Sequence, residues 1–182
     1  MKKSLLLVMV FSLALVCMTL SCKRQVAEGI TEEQAKAFMD DAPKLWNDGN
    51  FVLVDKWFSR DFVMHVPMSP EPIVGTKAYK EGLSMERKAF SDVNVKIEDV
   101  FIKGNKIAAI WTSTRTHSGP LVLPWGEIPP TGNKIKSSGV SVCRMVEGKI
   151  VEFWLYDNPL EILMPLGFTL SPPQPSKPEV KK

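Results

Sequence analysis

An α+β fold, with helices packed on one face of a curved antiparallel sheet, follows from two features of this 182-residue sequence. Helical periodicity dominates from Thr31 to Phe90 and returns only briefly near the end. From Val95 onward, four long runs of strand composition are closed in pairs by Gly104-Asn105 and Glu147-Gly148. Helices followed by such a meander pack together on one side of a single sheet. A sheet that curls over its helices leaves a conical pocket, lined by apolar side chains with few polar groups.

The domain is expected over 31–170. Its first helix opens on Thr31, with Gln34 completing a capping box. Ala35, Phe38, Met39, Ala42, Leu45 and Trp46 carry the stripe, Pro43 should kink or divide the helix, and Gly49 stops it. Phe51 to Phe58 reads as a short second helix. Asp61 to Val66 is a strand with Phe62, Met64 and Val66 on one face and Val63 and His65 on the other. A proline loop follows, and then a helix from Gly75-Thr76 carrying Tyr79, Leu83, Glu86, Ala89 and Phe90. Two hairpins come next: Val95–Ile102 with Lys106–His117, and Lys134–Val146 with Lys149–Tyr156. Between them Ser118 to Gly132 is a long apolar loop, which suits a lid, a binding loop or a subunit contact. Pro159 to Phe168 forms a terminal helix.

The ends read differently. Lys2 and Lys3 precede an apolar run from Leu5 to Leu20, so residues 1–21 have the make-up of a signal peptide. Thr19-Leu20-Ser21-Cys22 resembles a bacterial lipoprotein box, with Cys22 as the lipid-bearing residue. Residues 22–30 would be a tether, and the Pro- and Lys-rich tail 171–182 cannot bury a core. The expected location is therefore outside the cytoplasm, anchored to a membrane through Cys22. The formal net charge of +3 owes two units to Lys2 and Lys3 and two to the tail, which leaves about −1 for the rest. No basic face is implied, so nucleic acid is not an expected partner. Cys143 is the one cysteine inside the domain; a lone thiol in a strand run reads as packing. Two His residues, no Cys pair and no HExxH give no metal-ligand spacing, and there is no Gly-rich phosphate loop or GxSxG elbow.

The run from Ile150 to Asp157 carries the chemistry. Side chains alternate across a strand, so Val151, Phe153, Leu155 and Asp157 share one face. An apolar file thus ends in a carboxylate, and burial there would raise its pKa toward that of a general acid/base. The competing reading makes Asp157 the cap of the helix opening at Pro159.

Several segments resemble the SnoaL-like polyketide cyclase family, within the nuclear-transport-factor-2-like superfamily of cone-shaped folds. They are Leu45-Trp46-Asn47-Asp48-Gly49-Asn50, Phe58 to His65 (FSRDFVMH), Ala89 to Val93, Thr116-His117-Ser118-Gly119, Ile128 to Gly132 (IPPTG), and Gly148 to Gly167. The resemblance implies a cofactor-free pocket enzyme that closes rings by intramolecular aldol chemistry. In it Asp157 is general base and acid, and His117 bonds a substrate oxygen. Trp111, Trp125 and Phe153 would be walls, with His65 and Arg115 as further substrate-binding candidates. His117 and His65 also have plain structural readings, and Arg115 or Arg144 paired with Asp157 would depress its pKa. The ligand expected is a small hydrophobic carbonyl compound. Two other functions stay open: a non-catalytic lipoprotein holding such a molecule, and an assembly module. A homodimer would form through the outer sheet face, at Trp154 and Tyr156.

Overall fold

The computed structural model describes residues 29–67, 69–123 and 126–172. The leader 1–21, Cys22, most of the tether, Trp125 and the tail beyond Pro172 lie outside the described residues.

Helix α1 (Glu32–Trp46) begins on the expected capping box: Gln34 N donates to Thr31 Oγ1 at 3.1 Å, and Thr31 N donates to Gln34 Oε1 at 3.2 Å. Pro43 does not divide it. It sits in the last turn, where its missing N–H forfeits a single bond, and its carbonyl still accepts from Asn47 N at 2.7 Å,. Helix α2 (Val52–Trp57) follows, and Phe58 belongs to β1 (Phe58–His65), which starts earlier than expected. Strand β2 (Ile73–Val74) lies in the proline loop; two residues carry no period to read. Helix α3 (Gly75–Ala89) buries Tyr79, Leu83 and Ala89.

Strands β3 (Asn94–Lys103) and β4 (Lys106–Thr116) form the first hairpin; β7 (Lys134–Val146) and β8 (Lys149–Asp157) form the second. The long loop between them holds a small separate hairpin, β5 (Leu121–Leu123) and β6 (Gly126–Ile128). Helix α4 (Pro159–Leu163) gives way to a 3₁₀ turn at Met164–Leu166, because Pro165 has no amide to continue an α-helix,.

The main sheet runs β2-β1-β8-β7-β4-β3. It is antiparallel except between β1 and β8, which are parallel, with Val63, Met64 and His65 opposite Glu152, Phe153 and Trp154. Tight turns dictate antiparallel pairing only for neighbours in sequence. β1 and β8 are joined by no turn, so their direction is set by the fold as a whole.

The helices cover one face of this sheet. An aromatic core joins Phe58, Phe62 and Tyr79, with ring centroids 4.8 to 5.3 Å apart, and reaches Phe153 at 6.3 Å from Phe58. A second cluster of Ala89, Phe90, Val93, Ile135 and Leu166 receives Leu121, Ile128 and Ile162 from the loop and α4.

One buried charge ties α1 to α2. Asp41 accepts from Lys44 Nζ and Lys56 Nζ, both at 2.7 Å, and from Trp57 Nε1 at 3.1 Å. Lys44 foremost, then Lys56 and Trp57, hold its carboxyl far below the usual range. Removing it strands the Trp57 N–H in the core, so Asp41→Ala should cost about 1–3 kcal/mol in a urea melt near neutral pH. The folded pKa is depressed, so this contribution is present above the unfolded value near 3.8 and fades as pH falls below it,. The gap between wild type and variant should therefore shrink in acid. A gap that widens there would contradict the assignment.

Candidate functional site

The inner face of the sheet is the floor of a cavity of about 250 Å³. Strand register divides this floor into rows. The innermost is Met64–Phe153–Cys143–Ile107, and the next is Leu155–Ser141–Ala109. Then comes Asp157–Gly139–Trp111–Ile97, and beyond it Ser137–Ser113–Val95 with Arg115. Phe38, Met39, Trp46, Tyr79, Leu83 and Glu86 from the helices close the cavity from above, and Ile162 of α4 closes it beside Asp157. The floor thus grades from hydrocarbon to polar along β8.

Phe153, Leu155 and Asp157 line the cavity together, as alternation along β8 requires. Asp157 does not cap α4. Asn158 does, its Oδ1 accepting from Leu160 N at 3.1 Å. Burial pushes the Asp157 carboxyl above the usual carboxylate range; the positive charge of Arg115 pulls the other way, and more weakly. Arg115 is bonded elsewhere through both Nη atoms, while its buried Nε has no partner among the described residues. Its Nη1 donates to Glu86 Oε1 at 2.6 Å, and its Nη2 reaches Ser113 Oγ at 3.1 Å and Ser137 Oγ at 3.3 Å. Arg144 lies on the outer face, donating to Glu152 Oε2 at 2.9 Å. Among the described residues no ion pair or side-chain hydrogen bond engages the Asp157 carboxylate.

Trp111, Arg115, Phe153 and Asp157 are therefore brought together. The two histidines are not. His65 is on the outer face, where Nε2 meets Glu152 Oε1 at 3.2 Å and the ring stacks on Trp154 with centroids 5.5 Å apart. His117 is fully buried but is not among the residues lining the cavity. Strand β4 ends at Thr116, so the alternation that would align His117 with Trp111 stops one residue short. Instead Thr131 N donates to His117 Nδ1 at 3.2 Å, which places the ring proton on Nε2,. Nε2 has no partner of good hydrogen-bond geometry among the described residues. Burial lowers the His117 pKa, opposed more weakly by the Gly119 backbone, which keeps the ring neutral. His117 thereby fastens the base of the long loop.

That loop is pinned at both ends. Ser118 N and Gly119 N donate to Ala89 O at 2.9 and 3.0 Å, and Gly132 N donates to His117 O at 2.9 Å. Gly119 lies so tightly on the Lys88 carbonyl that a Cβ would overlap it. None of the loop's described residues lines the cavity. Cys143 does line it, with burial pushing its thiol up to about 12, too high for a nucleophile,. No group of three or more His, Cys, Asp or Glu that could hold a metal ion occurs among the described residues.

Three site residues were not apparent from the sequence. Gly139 stands opposite both Asp157 and Trp111, and its bare Cα makes room for the indole. Ser141 faces the cavity one row from Asp157, and the residue is buried. Tyr79 faces it from α3. Their only signal is register and tertiary packing, which a single sequence does not display.

A helix-covered curved sheet with one acid on an apolar floor defines a cone-shaped pocket protein. The SnoaL-like polyketide cyclase family model matches residues 36–166, and the chain belongs to that family. Solved structures agree on the fold. A candidate SnoaL-like polyketide cyclase from Jannaschia sp. CCS1 is 16% identical with a TM-score of 0.67, over 83% of this chain and 99% of that one. A candidate polyketide cyclase from Acidithiobacillus ferrooxidans is 26% identical with a TM-score of 0.64, over 75% and 96%. AclR of Streptomyces galilaeus, a candidate hydroxylase, is 24% identical with a TM-score of 0.65, over 79% and 87%. No curated protein sequence matches significantly.

Proposed function

We propose that the chain is a cofactor-free acid/base enzyme acting on a small, mostly apolar carbonyl compound. The observation that carries this reading is Asp157: an unpaired carboxylate of raised pKa on an apolar cavity floor. In ring closure its carboxylate takes a proton from the carbon beside a carbonyl. The enolate carbon then bonds a second carbonyl carbon, and the resulting alkoxide takes the proton back from Asp157. The Ser141 hydroxyl, one row away, is placed to hold the enolate oxygen, a part the family resemblance had given to His117. A space of 250 Å³ equals about eight water volumes and suits one or two rings,.

A naphthyl methyl ketone in D₂O tests this. The protein should speed exchange of the methyl hydrogens, followed by NMR, above the buffer rate. Binding seen by fluorescence with no exchange would sink the chemistry and favour the non-catalytic carrier.

We also propose that a second copy covers the outer sheet face. Ile110, Val140 and Tyr156 are register neighbours there, exposed by 41%, 37% and 58%. The next row on this face is Ala108–Val142–Trp154, so Trp154 and Tyr156 continue one patch that a two-fold-related copy can match,. Sedimentation should show a dimer that Tyr156→Lys converts to monomer; a monomeric wild type refutes it.

A further inference from the structure

The cavity wall holds a buried hydroxyl whose proton finds no acceptor among the described residues. Tyr79 is 5% exposed and lines the cavity, and its oxygen accepts from Trp46 Nε1 at 3.0 Å. The direction of that bond is fixed, because an indole nitrogen only donates. Trp46 therefore occupies a lone pair of Tyr79 and leaves the O–H free. No acceptor takes it among the described residues. Around the ring stand Phe58 and Phe62, at 5.2 and 5.3 Å between centroids, which offer none. Burial also holds the phenol protonated, well above its ordinary titration range. A buried donor without an acceptor is costly in a folded protein, and a bound ligand is one way to satisfy it.

Tyr79 and Asp157 reach the cavity from different elements. Tyr79 packs on Phe58, which lies against Phe153, and Trp46 lies 6.4 Å from Phe153 between centroids. From Phe153 to Asp157 the strand advances about 13 Å. On α3, Tyr79 and Glu86 are seven residues apart, about 10 Å of helix, and Glu86 holds Arg115 at the Asp157 end. Both polar groups line one apolar chamber, Asp157 from the sheet and Tyr79 from the helix above it.

We propose that Tyr79, oriented by Trp46, anchors the substrate by donating its O–H to a second acceptor oxygen, away from the carbon at which Asp157 acts,. The substrate class is then a flat apolar body with an enolisable carbonyl and, away from it, a carbonyl, ether or hydroxyl oxygen. A ligand ending in hydrocarbon would leave the hydroxyl unpaired and be discriminated against. The inference rests on the acid/base reading only for the position of the reacting carbon.

The test uses the full domain and two acetylnaphthalenes, one with a methoxy group on the ring far from the acetyl group and one with an ethyl group there. Wild type should bind the methoxy compound about five- to tenfold more tightly by fluorescence titration. Tyr79→Phe should bind both alike, with its affinity for the ethyl compound unchanged. Should that variant fold poorly, as its thermal melt would reveal, the wild-type preference alone decides. Equal affinities in wild type, or no binding of either compound, overturn the proposal. Asp157→Asn should keep the methoxy preference while losing hydrogen exchange. A preference without exchange in wild type leaves the anchor standing and removes the acid/base reading. Exchange without a preference does the reverse.

Discussion

Asp157→Asn is expected to lower α-hydrogen exchange of a bound ketone by about a hundredfold or more while making the protein more heat-stable. The two halves have one cause. Burial on the cavity floor raises the carboxyl pKa, so the folded protein binds that proton more tightly than the unfolded chain does. A folded pKa raised above the unfolded value contributes stability that is complete below the unfolded pKa and is lost as pH rises through the folded one. At neutral pH the ionised carboxylate is therefore a net cost, and a neutral amide of the same shape removes it. The same ionisation creates the base, so the exchange rate should climb with pH through that raised value and then level off. Thermal melts and a pH–rate profile read both. A variant that is less stable at neutral pH, or equally active, would mean that residue 157 is a structural carboxylate.

Much of the site was legible because strand alternation is local. Phe153, Leu155 and Asp157 needed only the period of β8, which fails at its start, where the register shift buries Ile150 in the core and leaves Val151 off the cavity. The Thr31–Gln34 cap and both hairpin turns needed only their own neighbours. Parity fails where a strand ends, and His117 lies one residue past the end of β4. Parity also does not say which face is inner: His65 was rightly separated from Phe62 and Met64, yet its partners Glu152 and Trp154 come from a parallel neighbour that no turn announces. Gly139 was hidden by a bulge. Counting back from Glu147-Gly148 puts Gly139 opposite Tyr156, but the register shift at Arg144/Met145 moves it to Asp157. A one-residue slip of this kind exchanges the faces. Tyr79 and Trp46 meet across 33 residues, a contact only packing creates.

Gly139→Ala is the substitution expected to damage both stability and the site through one methyl group. A Cβ at this position would run into the Tyr156 carbonyl oxygen and come within 2.5 Å of Trp111 Cζ2. The carbonyl belongs to β8 and cannot swing aside without disturbing the ladder that holds Asp157 opposite Gly139. Overpacking of this sort costs about 1–3 kcal/mol. The indole would have to lift from the floor, because Trp111 is 7% exposed and flanked in register by Ile97 and Gly139. With the ring displaced, water gains access to the acid row and the desolvation that raises the Asp157 pKa weakens. Three readouts should move together: a lower thermal midpoint, a red shift in tryptophan emission, and a pH–rate profile displaced toward the ordinary carboxylate range. Trp111→Phe in the same background should relieve the ring clash while leaving the clash at Tyr156, so stability should return only in part. If Gly139→Ala alone left all three readouts at wild-type values, the close approach of these strands would not be what shelters the acid.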